Sequence, residues 1–212
     1  MVRTVTLLLA FAAAPVRAAG TAAAGTAAAG TAAAGTALSA ARSYPLAEAP
    51  AELRPALQRA EGATALLQKK LGARLGEAMK AGGPAAAVDA YSADAARLAA
   101  EAAQETGVKV GRTSLRLRSA ANGAPAWATP FLAASAGKKA SEVAPVAVEL
   151  GEGKLGLLKP ITVGAACLRC HGRPEAVPAE VRERLAARYP QDRAGGFAEG
   201  DLRGFFWAEV AR

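Results

Sequence analysis

Residues 165–172 read AACLRCHG and contain both cysteines and the single histidine of the 212-residue chain, Cys167, Cys170 and His171. Cys-x-x-Cys-His is the spacing at which haem is attached in c-type cytochromes. The two thiols add to the two haem vinyl groups, and the histidine that follows is placed to bind the iron as its proximal ligand. The motif therefore predicts one covalent haem c per chain.

Other uses of a Cys-x-x-Cys pair fit this chain less well. A structural zinc site takes four ligands, and no further cysteine or histidine is present to complete one. A thioredoxin-like redox pair follows a strand within a βαβ unit, which the surrounding sequence does not predict. A plain disulfide would close only a four-residue loop and would stabilise little. Haem attachment remains the interpretation that the N-terminus also supports.

The first 18 residues have the layout of a secretory signal peptide. Arg3 lies in a short basic region, an apolar run follows over 5–14, and Val16 and Ala18 occupy the −3 and −1 positions of a cleavage site. The run is short for a transmembrane helix, and an uncleaved anchor is the alternative interpretation. We therefore expect a periplasmic or otherwise exported protein with no membrane span after cleavage. Bacteria attach haem c outside the cytoplasm, so export agrees with the motif.

Residues 19–44 are a low-complexity segment of glycine, threonine and alanine, with GTAAA as the repeated unit. Such composition predicts a flexible linker that carries no chemistry. The folded domain is then expected over 45–212. Its arginines are spread along the chain, so the net charge of +8 predicts a basic soluble domain and not a nucleic-acid-binding protein.

The apolar pattern of residues 45–212 predicts an α+β fold in which two helices precede a set of strands. Gly82 and Gly83 separate the two helices, and Gly107 ends the second. The predicted helices cover 51–80, 84–105, 127–134 and 178–188, and the predicted strands cover 108–118, 142–150, 154–161 and 202–210.

Longer strings on both sides of the motif resemble the Tll0287-like haem domain family. They are YPQDRAGGF (189–197) and GDLRG (200–204) downstream, with VGRTSLRLR (110–118) and LLKPI (157–161) upstream. The resemblance covers about 66–210, nearly the whole predicted domain. It implies a PAS-like antiparallel sheet with flanking helices that holds one covalent haem. The family often carries a cysteine, a candidate distal ligand, where this chain has Tyr91.

The distal iron ligand is left open by the sequence. The chain has no second histidine, so ligation by two of its own histidines is excluded. Tyr91 as phenolate and Met79 as thioether are the candidates, and a lysine, water or an open site are the alternatives. Both residues also suit an ordinary core, since a methionine at helical spacing and a hydrogen-bonded tyrosine need no metal.

Arginines offer partners for the haem propionates. Arg112, Arg116 and Arg118 alternate along the predicted strand, and Arg169 and Arg203 are further candidates. Buried carboxylates need such donors. A solvated strand face is the simpler explanation of any one of these arginines.

The expected function is that of a monohaem c-type protein that transfers electrons or senses redox state through an unidentified redox partner. A carrier or sensor is favoured over an enzyme because no distal histidine is present for peroxidase-type proton transfer. The alternatives are a gas or ligand sensor that acts through a partner, and a peroxidase-like enzyme if the distal site is open.

Overall fold

Alanine- and leucine-rich sequence forms the helical half of the molecule, and the later apolar segments form the sheet. The computed structural model describes residues 42–212, so the predicted signal peptide and most of the predicted linker lie outside the described residues. The helices are α1 (Arg54–Thr106), α2 (Thr129–Ala134), α3 (Leu168–His171) and α4 (Ala179–Arg188). The strands are β1 (Ser43–Pro45), β2 (Lys109–Thr113), β3 (Val146–Gly151), β4 (Lys154–Thr162) and β5 (Leu202–Ala211).

Helix α1 is divided by a kink at Gly82 and Gly83, where the backbone angles are not helical. Gly83 has φ of 70°, a conformation that glycine adopts without steric cost. Pro84 then starts the second arm, because its fixed φ suits the first turn of a helix. The two predicted N-terminal helices are confirmed as the two arms of α1.

The two arms of α1 pack against each other and carry ion pairs between them. The Nε of Arg74 lies 2.6 Å from an Asp94 oxygen, and the Nζ of Lys70 lies 2.7 Å from a Glu105 oxygen. Gly107, with φ of 65°, ends the second arm in the left-handed conformation typical of a helix C-terminus. The chain therefore enters β2 directly beside the arm that carries Tyr91.

The five strands form one antiparallel sheet in the order β1-β3-β4-β5-β2. Side chains alternate along β5, so Phe206 and Ala208 pack against α1 while Phe205 packs on the opposite face with Leu132 of α2. The core between α1 and the sheet includes Leu57, Leu67, Leu71, Leu98, Val110, Leu155, Leu157 and Val210. An α+β fold with an antiparallel sheet and flanking helices is thus confirmed. No helix within residues 42–212 is long and apolar enough to cross a bilayer.

Strand β2 stops at Thr113, so the prediction of a strand over 108–118 is wrong beyond that residue. The hydroxyl of Ser114 donates to the Arg203 carbonyl (2.7 Å) and accepts from the Arg116 amide (3.0 Å). A side chain that bonds to the backbone in this way competes with the strand ladder and turns the chain. Arg116 and Arg118 consequently lie in a loop and not on a strand face.

The other elements follow the sequence closely, with one addition. The terminal strand, the helices α2 and α4 and the hairpin of β3 and β4 are confirmed, although β3 begins only at Val146. The addition is β1, in which Ser43 pairs with Val148 and Tyr44 with Ala147. The sequence places these two residues in the linker, but their pairing makes them part of an edge strand next to β3.

Candidate functional site

The Cys-x-x-Cys-His motif forms a single helical turn that enters α3. Cys167 is exposed and Cys170 is half-buried, and both are free thiols. Residues three apart share one side of a helix, so the two sulfurs lie on the same face of the turn. Gly172 ends the turn with its amide donating to the Leu168 carbonyl (2.9 Å), and a Cβ on Gly172 would lie 2.6 Å from that oxygen. The last residue of CLRCHG therefore has to be glycine.

A loop over 192–197 lies alongside the motif and fixes its backbone. The Phe197 amide donates to the His171 carbonyl at 2.9 Å, and the Gly196 amide donates to the Gly172 carbonyl at 2.6 Å. Gly196 has φ of 72°, which favours glycine at this turn. The string YPQDRAGGF thus supplies the wall against which the motif is held.

The imidazole of His171 is oriented by this same loop. Its Nδ1 lies 2.6 Å from the Ala194 carbonyl oxygen, and because that oxygen only accepts, Nδ1 carries the proton. Nε2 is then left with a free lone pair, which is the arrangement found when a histidine ligates a metal. The ring meets Phe197 edge-on, with ring centroids 6.2 Å apart and an interplanar angle of 85°.

The environment of His171 keeps its imidazole neutral. Burial, together with the positive charges of Arg118 and Arg203, lowers its pKa from 6.5 to about 3. A group with this pKa carries no proton on Nε2 near neutral pH. The histidine is therefore held in the form that can bind a metal ion.

Arg118 joins the motif to the 192–197 loop. Its Nη2 donates to the Cys170 carbonyl (2.6 Å), and its Nε donates to an Asp192 oxygen (2.9 Å). The other Asp192 oxygen accepts from the Ala194 amide at 2.7 Å. The Arg118 and Asp192 side chains are only 14% and 17% exposed, so this ion pair is largely shielded from water. The Arg118–Asp192 pair thereby fixes the position of Ala194, whose carbonyl orients His171.

Arg112 on β2, Arg116 in the loop after it and Arg203 on β5 lie near the same loop. The Arg116 guanidinium lies 3.9 Å from the centre of the Phe197 ring, and that of Arg203 lies 5.4 Å from it. Arg112 donates to the Tyr91 hydroxyl at 2.5 Å and lies 4.7 Å from the centre of its ring. Four arginines therefore surround His171 and Phe197, and we call Arg112, Arg116, Arg118 and Arg203 the arginine cluster.

The structure separates the two candidate distal ligands. Tyr91 is half-buried on the second arm of α1 and contacts the arginine cluster through Arg112. Met79 is half-buried on the first arm, just before the kink at Gly82. The side chains that pack around Cys170 are Val88, Val177, Val181, Leu185 and Tyr189, a group in which Met79 takes no part.

A cavity of about 350 Å³ separates the kink of α1 from the motif. Its wall contains both residues between the cysteines, together with Pro84; the lining is Pro84, Ala165, Leu168, Arg169, Ala176 and Pro178. Within residues 42–212, no group of three histidine, cysteine, aspartate or glutamate side chains lies close enough to hold a metal ion. Arg169, a predicted propionate partner, lines this cavity and does not belong to the arginine cluster.

The sequence predicts no individual role for Ala194 or Asp192, and for Phe197 it suggests only an aromatic wall beside the haem. Their functions arise from a carbonyl, a carboxylate and a ring that contact the motif across the fold. The available signal was the family string YPQDRAGGF, which marks the segment without showing what each residue contacts.

The fold and the site define an α+β domain whose sheet and helical arms support a clamped Cys-x-x-Cys-His turn beside an arginine cluster. The chain belongs to the Tll0287-like family, whose model matches residues 34–210. Its fold is similar to the crystal structure of the cyanobacterial haem protein Tll0287, with a TM-score of 0.52 and 24% identity over 77% of this chain and 97% of that one. No curated protein matches the chain. The predicted family membership is confirmed.

Proposed function

We propose that this protein carries one haem c, bound covalently through Cys167 and Cys170, with Nε2 of His171 as the proximal iron ligand. The observation that carries the proposal is the neutral imidazole, fixed by Ala194 and set directly beside two free thiols on one turn. The name of the solved relative, a haem protein, supports the same cofactor. A haem bound here supplies a one-electron iron couple that takes an electron from a reduced partner and passes it to an oxidised one.

We infer electron transfer or redox sensing as the role of that haem, with a redox protein as the partner. The chain contains one histidine, and the proposal already uses it as a ligand. No imidazole is left to move protons as a general acid or base. The five-stranded antiparallel sheet with flanking helices also supports the PAS-like description of the domain.

The cofactor is tested by producing the chain in a host that matures c-type cytochromes. A pyridine haemochrome spectrum is expected to show the c-type band at one haem per chain, and the haem is expected to stay with the denatured polypeptide. Absence of that band in folded, exported protein would overturn the haem proposal.

We propose Tyr91 as the distal ligand in preference to Met79, since Tyr91 lies beside the arginine cluster and Met79 precedes the kink. Tyr91→Phe is expected to change the ferric absorption spectrum, and Met79→Leu is expected to leave it unchanged. The opposite result would reassign the ligand.

A gas-sensing or peroxidase-like role is the second candidate, favoured by one specific observation. The Tyr91 hydroxyl already has a partner in Arg112, at 2.5 Å, which competes with iron for its oxygen. If Tyr91→Phe leaves the spectrum unchanged and the reduced protein binds carbon monoxide, the distal side is open and this role replaces electron transfer. A reduced haem that ignores carbon monoxide excludes it.

We also propose that residues 1–18 direct export and that 19–44 form the linker to the domain. The mass of the protein recovered from the periplasm is expected to correspond to cleavage after Ala18. Recovery of the uncleaved chain in the membrane fraction would instead support an anchor.

A further inference from the structure

Two half-buried guanidinium groups near His171 have no acidic partner among residues 42–212. Arg112 donates to the hydroxyl oxygen of Tyr91, and Arg203 donates to the carbonyl of Arg116 at 3.2 Å. Arg118 differs from both, because its charge is paired with Asp192. The four members of the arginine cluster therefore differ: Arg118 is paired with a carboxylate, Arg116 is exposed to solvent, and Arg112 and Arg203 are half-buried without an ion-pair partner among residues 42–212.

An uncompensated charge in such a place is energetically costly. Burial, together with the neighbouring charges of Arg118 and Arg112, lowers the pKa of Arg203 to about 10. Guanidinium groups are retained in partly buried positions when an anion satisfies them. An anionic group bound near Arg112 and Arg203 would therefore stabilise both guanidinium groups.

A β-bulge in β5 places Arg203 in the arginine cluster. Gly204 is paired with Ile161 and Leu202 with the next residue, Thr162, so Arg203 is the extra residue of a β-bulge. Bulges interrupt the alternation of a strand and re-aim a side chain, often beside a functional site. Here the bulge brings the guanidinium over the Phe197 ring.

The bulge itself depends on the glycine that follows it. Gly204 has φ of 151°, a region that favours glycine, and a Cβ there would lie 2.1 Å from the Thr113 carbonyl oxygen. Thr113 is the last residue of β2, so the bulge of β5 packs directly against the end of β2.

We infer that Arg112 and Arg203 form a carboxylate-binding subsite for the two haem propionates, while Arg118 serves as a brace for the motif. The inference rests on the proposed function, since the carboxylates belong to the haem. A guanidinium presents parallel N–H donors that match a carboxylate, which makes arginine well suited to this task.

The test compares haem with haem dimethyl ester, in which both carboxylates are blocked. The whole chain, produced without haem attachment and kept reduced, is titrated with each compound, and the ratio of the two affinities is measured. Arg112→Gln and Arg203→Gln are each expected to lower the preference for haem about tenfold, the usual size of one charged hydrogen bond. Affinity for the ester is expected to stay as in the unmodified chain.

Control variants separate carboxylate binding from folding and from general charge. Arg193→Gln removes an exposed arginine of the adjoining loop and should keep the full preference. Arg118→Gln should weaken both compounds alike, because it loosens the motif. Arg203→Lys keeps the charge, and its preference for haem over the ester should lie between those of Arg203→Gln and the unmodified chain. It also provides the test if Arg203→Gln does not fold.

The outcomes distinguish this inference from the proposed function. An unchanged preference in folded Arg112→Gln and Arg203→Gln protein would overturn the subsite while leaving haem binding intact. Failure of the unmodified chain to bind either compound, together with a missing c-type band in matured protein, would overturn both.

Discussion

Cys167, Cys170 and His171 lie on one turn of five consecutive residues, whereas the arginine cluster is assembled from separate segments. The motif turn is held by short-range backbone bonds and by one neighbouring loop. The arginines arrive from β2, from the loop that follows it and from the bulge at Arg203 in β5. The geometry of the motif is therefore set by neighbouring residues, whereas the geometry of the arginine cluster is set by the pairing of β2 with β5.

This difference gives the two regions different sensitivities. Changes in the motif should remove the cofactor without disturbing the sheet, because the thiols of Cys167 and Cys170 are free and form no disulfide that holds the fold together. Changes at the end of β2 or in the bulge should disturb the arginines while leaving the motif sequence intact.

Replacing both thiols should have the largest effect on the cofactor. Cys167→Ser with Cys170→Ser is expected to abolish covalent attachment, because no other cysteine is present to add to a vinyl group. Haem retained on the denatured chain is the measurement. Arg169→Gln, which alters a residue between the cysteines, is the matched control and should keep full attachment. Covalent haem on the double serine variant would contradict the assignment.

The largest effect on stability is expected from Gly204→Ala. The added Cβ would meet the Thr113 carbonyl at 2.1 Å from a backbone with φ of 151°, so the free energy of unfolding should fall by about 3 kcal/mol. Chemical denaturation measures this change. Gly72→Ala is the matched control, since that helical glycine has open space around it and should gain about 0.5–1 kcal/mol. Equal responses of the two variants would contradict a strained bulge.

The same contrast explains which features could be predicted from the sequence. The motif, the kink at Gly82 and Gly83 and the hairpin turn are encoded by neighbouring residues, so their patterns were sufficient. The hairpin, for example, turns at Glu152 and Gly153, both with positive φ, which the string GEG indicates.

Features that depend on distant contacts were not predictable in this way. The alternation of Leu115 and Leu117 continued the predicted strand past Thr113, because nothing local shows that the Ser114 hydroxyl bonds to Arg203. Strand β1 has only three residues and exists through its pairing with β3. The role of Arg112, Arg116 and Arg118 at the haem stays a prediction, and the strand face expected for them holds for Arg112 but is wrong for Arg116 and Arg118.

A smaller loss of stability is expected when the brace of the motif is broken. Asp192→Asn removes the carboxylate that accepts from Arg118 and leaves a largely buried guanidinium unpaired, which should cost about 2 kcal/mol in the free energy of unfolding. Glu77→Gln is the control, because its pair with Arg74 is 4.0 Å long and exposed, and it should change stability by less than about 0.5 kcal/mol. A loss in Asp192→Asn no larger than in the control would show that the brace contributes nothing.

The smallest effect is expected where α1 meets α4, outside both regions. The hydrogen bond from Arg188, and the charge of Arg184, hold the pKa of Asp89 below its ordinary 3.8. A carboxyl with a lowered pKa stabilises the fold above its unfolded pKa, and this contribution is lost as the pH falls through the folded pKa. Asp89→Asn should therefore lower the unfolding midpoint slightly near neutral pH, and the two proteins should converge in acid, well below pH 3.8. The haem spectrum should be unaffected, because the partners of Asp89 are Arg184 and Arg188 and its carboxylate forms no hydrogen bond to Cys167, Cys170 or His171. A difference in midpoint that persists unchanged in acid would contradict an electrostatic origin and point to a packing effect of the amide.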